Sequence, residues 1–525
     1  MTRLVWALML IVPAGSVAAG APPQRPFETE DSPATTRPAA VDRLDELVRA
    51  KLHEKDITPA NLCSDEVFVR RVYLDVIGTL PEPATVLQFL EDKRPDKRAV
   101  LVDTLLARNE FSEYWTLKWC DLLRVKAEFP INLWPNAVQA YHRWIRNALR
   151  QNWPYDRFAR ALLTSSGSNF REPAVNFYRA IQGREPADIA GAVALTFMGV
   201  RLETWPQARR DELALFFAQV GYKKTTEWKE EIVLWQPQLA TERSAVLPDG
   251  SVVQLTPDDD PRRIFAKWLI TPENPYFTRN IVNRVWAWLM GRGIIHEPDD
   301  ARADNPPSNP ELLAYLAQEL VDANYDLRHV YRLILNSRTY QQSSIPRSSE
   351  PDAEALFAYY PVRRLEAEVL ADALSWIGGT GERYTSLIPE PATYIPEDER
   401  SIELADGSIS SPFLEMFGRP ARDTGLESER NNLPNDAQRL HLLNSTDVQR
   451  KIERSPRLRK VFDEAGGKRR EIIRGEYLVI LARYPTDAEL EKAEQYFGRK
   501  GVRLRDAAND LAWALINSKE FLYRH

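Results

Sequence analysis

From about residue 41 to 220, and again from about 261 onward, apolar side chains recur at the spacing of a helix face, broken by cap and stop residues. The pattern predicts a mainly α chain. Ser64 is placed to cap a helix running to Ile77, with Gly78 placed to end it. Further helices fit 83–92, 96–107, 111–125, 136–151, 155–164, 186–198 and 207–220. Asn309, Pro310 and Glu311 supply a cap, a first-turn proline and a first-turn acid for a helix to about Val321. Asp326 can cap the next, which ends near Ser337. VRRLEAEVLADALSW (362–376) reads as one more helix, stopped by Gly378 and Gly379, and 379–436 is loop-rich. Thr486 and Glu489 form a capping box, and a last helix spans about Leu504 to Phe521.

Between the two helical stretches the character changes. EIVLW (231–235) and SVVQL (251–255) are rich in β-branched residues, and Pro248, Asp249 and Gly250 supply a turn before the second. A small β hairpin or ribbon is therefore expected to join two helical regions. At the N-terminus, Arg3 precedes nine apolar residues, Leu4 to Val12, and small residues follow up to Ala21. That is the pattern of a cleaved secretory signal peptide over 1–21. Five prolines between residues 22 and 40 mark a linker. The expected organisation is thus a leader (1–21), a Pro-rich linker (22–40), a helical region (41–225), a β-rich linker (226–260) and a second helical region (261–525). A secreted or periplasmic location follows. No later stretch approaches the roughly 18 consecutive apolar residues of a spanning helix, so no integral membrane segment is expected in the mature chain.

A formal charge of −6 over 525 residues is mild and gives no reason to expect nucleic acid as a partner, which wants a clustered basic face. There is no G-x-S-x-G elbow, no phosphate-binding G-x-x-x-x-G-K-S/T loop and no G-x-G-x-x-G after a strand. The six histidines (His53, His142, His296, His329, His441 and His525) include no pair spaced to put two ligands on one helix face. No cofactor and no metal is expected, the alternative being a metal site assembled from distant segments. Cys63 and Cys120 are either one disulfide or two small buried apolar groups.

Arg364, Glu368 and Asp372 are the strongest polar constellation, spaced four and eight residues apart along the helix expected at 362–376. Two carboxylates one turn apart suit an acid and base pair if burial shifts one of them. The plainer reading is an ion pair between Arg364 and Glu368 along the helix. Arg71 with Asp75, and Asp121 with Arg124, carry the same expectation of helix-face or inter-helix pairs. Among the 14 tryptophans, Trp115 and Trp119 share a helix face and read as a core seam. Trp134, Trp205, Trp228 and Trp235 sit outside strong helical patterns and are the better candidates for exposed stacking on sugars.

Several long motifs carry a resemblance. FVRRVYLDVIGTLP (68–81), WTLKWCDLLR (115–124) and NWPYDRFARALL (152–163) resemble the planctomycete cytochrome-associated PSCyt-two domain of unknown function. NPYFTRNIVNRVWAWLMGRGII (274–295), PPSNPELLAYLAQEL (306–320), LILNSRTYQQSS (333–344), YPVRRLEAEVLADAL (360–374) and LINSKEFLYRH (515–525) resemble its companion, the PSD-one domain. The resemblance implies an exported, largely helical protein encoded beside secreted sulfatase-like proteins. It carries over no catalytic residue. Relatives generally hold a Cys-x-x-Cys-His segment where this chain runs from MGVRLE (198–203) through TWPQARRDELAL (204–215) to Phe216 and Phe217, and GLESER (425–430) lacks a cysteine often found there. Covalent haem is therefore not expected. Trp205 is expected to be largely buried in place of the missing segment. Two functions follow as expectations: a non-redox binding protein whose first partner is a sulfatase-like protein, or a hydrolase or lyase on an envelope or extracellular polysaccharide that uses Arg364, Glu368 and Asp372 or a loop carboxylate.

Overall fold

The computed structural model describes residues 27–29, 37–239 and 241–525. The expected leader and most of the Pro-rich linker lie outside the described residues. Within them the chain is mainly α, with 23 α-helices and four small antiparallel sheets.

Local chemistry sets many helix starts. The Ser64 side chain accepts from the Val67 N–H at the head of Asp65–Val76, Asn309 from Leu312 N–H before Pro310–Asp322, and Asp326 from Arg328 N–H before Leu327–Asn336. Thr486 and Glu489 close a reciprocal capping box on Asp487–Phe497. Pro186–Val193 continues into a π turn over Ala194–Met198 and stops at Gly199, whose φ is 67°. A Cβ at Gly199 would lie 2.6 Å from Asn280 Oδ1, and Asn280 donates to the Thr196 carbonyl at 2.9 Å. Glycine is needed there on both counts.

The β-rich stretch differs from the expected single ribbon. Glu231–Trp235 pairs with Val220–Lys224 on one side and Gly167–Ser168 on the other, with Val233 opposite Tyr222. Val252–Leu255 pairs instead with Arg243–Val246 across the turn at Gly250, whose φ is 87°. The Pro248–Gly250 turn folds SVVQL onto its immediate predecessor, so EIVLW finds its partner upstream. Val220 thus opens a strand, and the helix before it ends at Leu215. A second correction concerns 362–376. Arg363–Arg364 is a strand paired with Tyr523–Arg524, and the helix runs only from Ala367 to Gly378.

One apolar core runs through both helical stretches. Trp115 and Trp119, on Asn109–Leu122, pack on Trp288 of Phe277–Met290 with ring centroids 5.5 and 6.2 Å apart. Tyr155 stacks on Phe277 at 4.7 Å. Such contacts add about 0.5–1.5 kcal/mol each beyond the area they bury. The expected tryptophan seam therefore joins the two stretches. Trp205, by contrast, is half-buried, with the Arg209 guanidinium 4.1 Å above its ring and Tyr276 at 6.4 Å. The loop it occupies lies near the surface, so it fills less of the core than expected.

Glu476, on Arg469–Leu481, is only 2% exposed, and its carboxyl has no hydrogen-bond partner among the described residues. Burial alone holds it well above the usual carboxylate range. The folded state therefore keeps the proton that the unfolded chain releases above about pH 4.5, and stability falls as pH rises past that point. Glu476→Gln should leave the melting temperature unchanged near about pH 4 and raise it by roughly a few degrees near about pH 8, read by thermal unfolding at both values.

Candidate functional site

The residues singled out in sequence lie in a buried network of charges. Asp75, on Asp65–Val76, receives Arg524 Nε at 2.7 Å, the Tyr340 and Tyr360 hydroxyls at 2.7 and 2.9 Å, and Arg363 at 3.2 Å. Arg524 also reaches Glu366 at 2.5 Å, and Lys118 binds the same carboxylate at 2.8 Å. Arg71 is not the partner of Asp75. It donates to the carbonyls of Tyr340, Gln342 and His525 at 2.7–2.8 Å and stacks 3.8 Å from the Tyr360 ring centre. Asp121 likewise passes over Arg124, pairing with Arg422 at 2.9 Å and Arg430 at 2.7 Å, while Arg124 donates to the Thr424 carbonyl. An interior charge takes whichever partner the fold brings, because leaving it unpaired is costly.

Arg364 and Glu368 do not pair. Extended at 363–364, Arg364 donates to the carbonyls of Phe417 at 2.7 Å and Asn431 at 3.1 Å. Glu368, sealed from water, binds Arg430 at 2.6 Å and Arg419 at 3.4 Å. Burial pushes its carboxyl up, but Arg430 and Arg419 overcome that and hold it below the usual range. Glu366 is held well below the range in the same way, burial being outweighed by Arg524, Lys118 and Arg430. Asp372 accepts from the N–H groups of Ser401 and Ile402 at 2.7 and 3.1 Å, with Arg400 at 3.8 Å. Burial dominates there and raises it to about 6. Glu368 and Asp372 share a helix, and Arg364 stands apart from it on a strand.

An open site lies nearby. A cleft of about 330 Å³ opens between the start of Pro135–Arg150 and the loops at 391–396 and 404–409. Its polar lining is Asn136, Gln139, Thr393, Tyr394, Glu399 and Asp406. The walls are tied together by the backbone: Asp406 accepts from Ala127 N–H at 2.9 Å, Ser408 Oγ from Glu128 N–H at 3.0 Å, and Val125 carbonyl from Gly407 N–H at 2.9 Å. Trp134, at φ 72°, turns the chain into the helix, whose first turn has no side-chain cap. Glu399 is half-buried, and its carboxyl has no hydrogen bond or ion pair among the described residues. Burial, then Glu403 and Asp398, push it up to about 7 against the pull of Arg146.

Large apolar side chains are exposed around this cleft. Tyr394 in its lining is 70% exposed, and Phe129, beside the cleft-wall turn, is 80% exposed. The backbone of Leu387, 89% exposed, donates to Glu128. Trp228, 72% exposed, meets the edge of Trp134 at 6.4 Å, with the Lys229 ammonium 4.5 Å from the Trp134 ring. Of the four tryptophans expected to be open, Trp228 alone is exposed, and it meets the half-buried Trp134 one residue before the helix that walls the cleft. Trp235 is half-buried with its indole N–H on Gln219, and Trp205 lies under Arg209. Sequence reasoning missed Glu399; its signal was the acid run in PEPATYIPEDER (389–400).

Among the described residues no group of three or more His, Cys, Asp or Glu side chains is arranged to hold a metal, and no helix is long and apolar enough to cross a membrane. Cys63 and Cys120 are both buried and free, and burial raises the Cys120 thiol to about 12.

Residues 43–204 match PSCyt2, a protein family of unknown function (DUF1549), and residues 261–497 match PSD1, another of unknown function (DUF1553). The chain belongs to this pair, with PSCyt2 followed by PSD1, as its motifs implied. No curated protein and no solved structure matches it. The PSCyt2 match ends at Thr204, the first residue of TWPQARRDELAL (204–215).

The ion network has a direct test. Arg524→Met leaves Asp75 and Glu366 buried without their shared cation and should cost about 3–5 kcal/mol in denaturant unfolding. Arg503→Met, which breaks an exposed pair with Asp506, should leave the midpoint unchanged.

Proposed function

We propose that the protein is a non-redox binding protein that holds an envelope or extracellular polysaccharide at the Pro135–Ile409 cleft. The observation that carries the reading is the open ring of Tyr394 in the lining of a small cleft of amides, hydroxyls and carboxyls, with the exposed Trp228 against the half-buried Trp134 just before the helix that walls it. Flat apolar faces next to convergent hydrogen-bonding groups suit a sugar, which offers a C–H face and a ring of hydroxyls. The pairing of Glu368 with Arg430 and Arg419 leaves it poorly suited to acid or base work beside Asp372. The exported location expected from residues 1–21 would bring the protein to such polymers, and a secreted sulfatase-like protein would act beside it on the same material.

A second reading rests on Glu399. A carboxyl raised to about 7 in an open cleft is suited to proton donation near neutral pH, which is the loop-carboxylate form of the hydrolase reading. Affinity electrophoresis in gels containing native envelope polysaccharide separates these outcomes. The full chain should be retarded, and Tyr394→Ala and Trp228→Ala should each weaken retention by about fivefold. Release of reducing ends that Glu399→Gln abolishes would favour hydrolysis. Unretarded migration, with a co-purifying protein instead, would contradict the polysaccharide reading.

A further inference from the structure

We infer that the base of the cleft is a subsite for an uncharged sugar unit and disfavours units bearing a carboxylate or sulfate. The inference rests on the polysaccharide reading above and names the part of the polymer that this site accepts. A site built for an anion presents a cation or converging guanidinium groups. This cleft has no Lys, Arg or His in its lining. Its polar groups are the amides of Asn136 and Gln139, the hydroxyls of Thr393 and Tyr394, and the carboxyls of Glu399 and Asp406. That set both donates and accepts, which matches hydroxyl groups that do the same.

The cleft groups differ in how far the protein already uses them. Asp406 Oδ1 takes the N–H groups of Ala127 and Ser408 at 2.9 and 2.8 Å, so it serves mainly to build the wall. The Thr393 side chain is nine-tenths buried, and its hydroxyl has no partner among the described residues. An orphan hydroxyl at a polar cleft is a group whose hydrogen bond a ligand can complete. Glu399 is likewise unpartnered, half-buried at the same wall. Tyr394 supplies an open ring face beside both. The volume, about 330 Å³, lies at the small end of ligand clefts and suits a short piece of chain.

The charges around Glu399 set the discrimination. Glu403, Asp398 and Asp372 face it with negative charge, and Arg146 is the opposing cation. Arg400 is shared between Glu113 at 3.9 Å and Asp372 at 3.8 Å. Tyr384 donates to the Glu399 carbonyl at 3.2 Å and contacts Ser401, so it does not neutralise the carboxyl. An anionic sugar unit entering here meets the like charge of Glu399, Glu403, Asp398 and Asp372, with Arg146 the one opposing cation at Glu399 and outside the cleft lining, which costs affinity.

The test is calorimetric titration of the full chain with cellohexaose, maltohexaose and mannohexaose, and with hexagalacturonate as the charged probe. At about pH 8 one or more neutral oligomers should bind, and hexagalacturonate should bind about tenfold or more weakly. The gap should narrow at about pH 5.5, where Glu399 carries its proton while the probe stays charged. Glu399→Gln should narrow it at about pH 8 too, by raising hexagalacturonate binding relative to the neutral oligomers. Thr393→Val should weaken the neutral oligomers by about fivefold, the loss of one hydrogen bond. Equal binding of hexagalacturonate at about pH 8, or a gap indifferent to Glu399→Gln, overturns the inference. If no oligomer binds while native polysaccharide still retards the protein, the subsite fails and the polysaccharide reading stands; if neither binds, both fail.

Discussion

Asp75, Glu366 and Arg524 come from three distant parts of the chain and meet out of reach of water, with Arg524 2.7 Å from one carboxylate and 2.5 Å from the other. An arginine so deeply buried is tolerable only because both partners are in place. The same contact fixes the chain's last strand, Tyr523–Arg524, against Arg363–Arg364. It thereby decides where the Ala367–Gly378 helix begins. Arg71 tightens the arrangement from the other side by binding the carbonyls of Tyr340, Gln342 and His525. Two regions that match separate families are in this way bound through charge as well as through the Trp115–Trp288 seam.

The cleft depends on that frame. Arg430 bridges Asp121 and Glu368, and Arg422 joins Asp121 to the Ala405 carbonyl, so the second region's loops are anchored on the first region's helix. Once anchored, the 405–409 loop hydrogen-bonds the backbone of 125–128 through the Asp406 and Ser408 side chains and the Gly407 N–H, and leaves a gap against the start of Pro135–Arg150. Buried charge therefore builds the site without taking part in it. Glu399, the one unpaired acid at the gap, is also the one whose proton affinity falls near neutrality in an open place.

What could be read in sequence was local. Ser64, Asn309, Asp326 and Thr486 cap the helices they were expected to cap, since a cap acts on its next three residues. The shared face of Trp115 and Trp119 followed from helix geometry alone. The failures share one cause, a partner far away in the chain. Arg364 lies four residues before Glu368 but is extended, because its strand partner begins at Tyr523. Asp75 and Asp121 ignore Arg71 and Arg124 for partners hundreds of residues on. EIVLW joined neither the expected ribbon nor SVVQL, because the Gly250 turn had already claimed the latter. The cleft was illegible for the same reason: its walls come from 135–139 and 391–409, and the exposure of Trp228 and Tyr394 depends on what those loops leave uncovered.

The shared apolar core and the buried ion pairs make the PSCyt2 and PSD1 regions one cooperative unit. Scanning calorimetry of the intact protein tests it most directly. One transition, with calorimetric and van't Hoff enthalpies in agreement, is the result expected of a shared core clasped by buried ion pairs. Two separable transitions, each carrying the heat of one region, would contradict it.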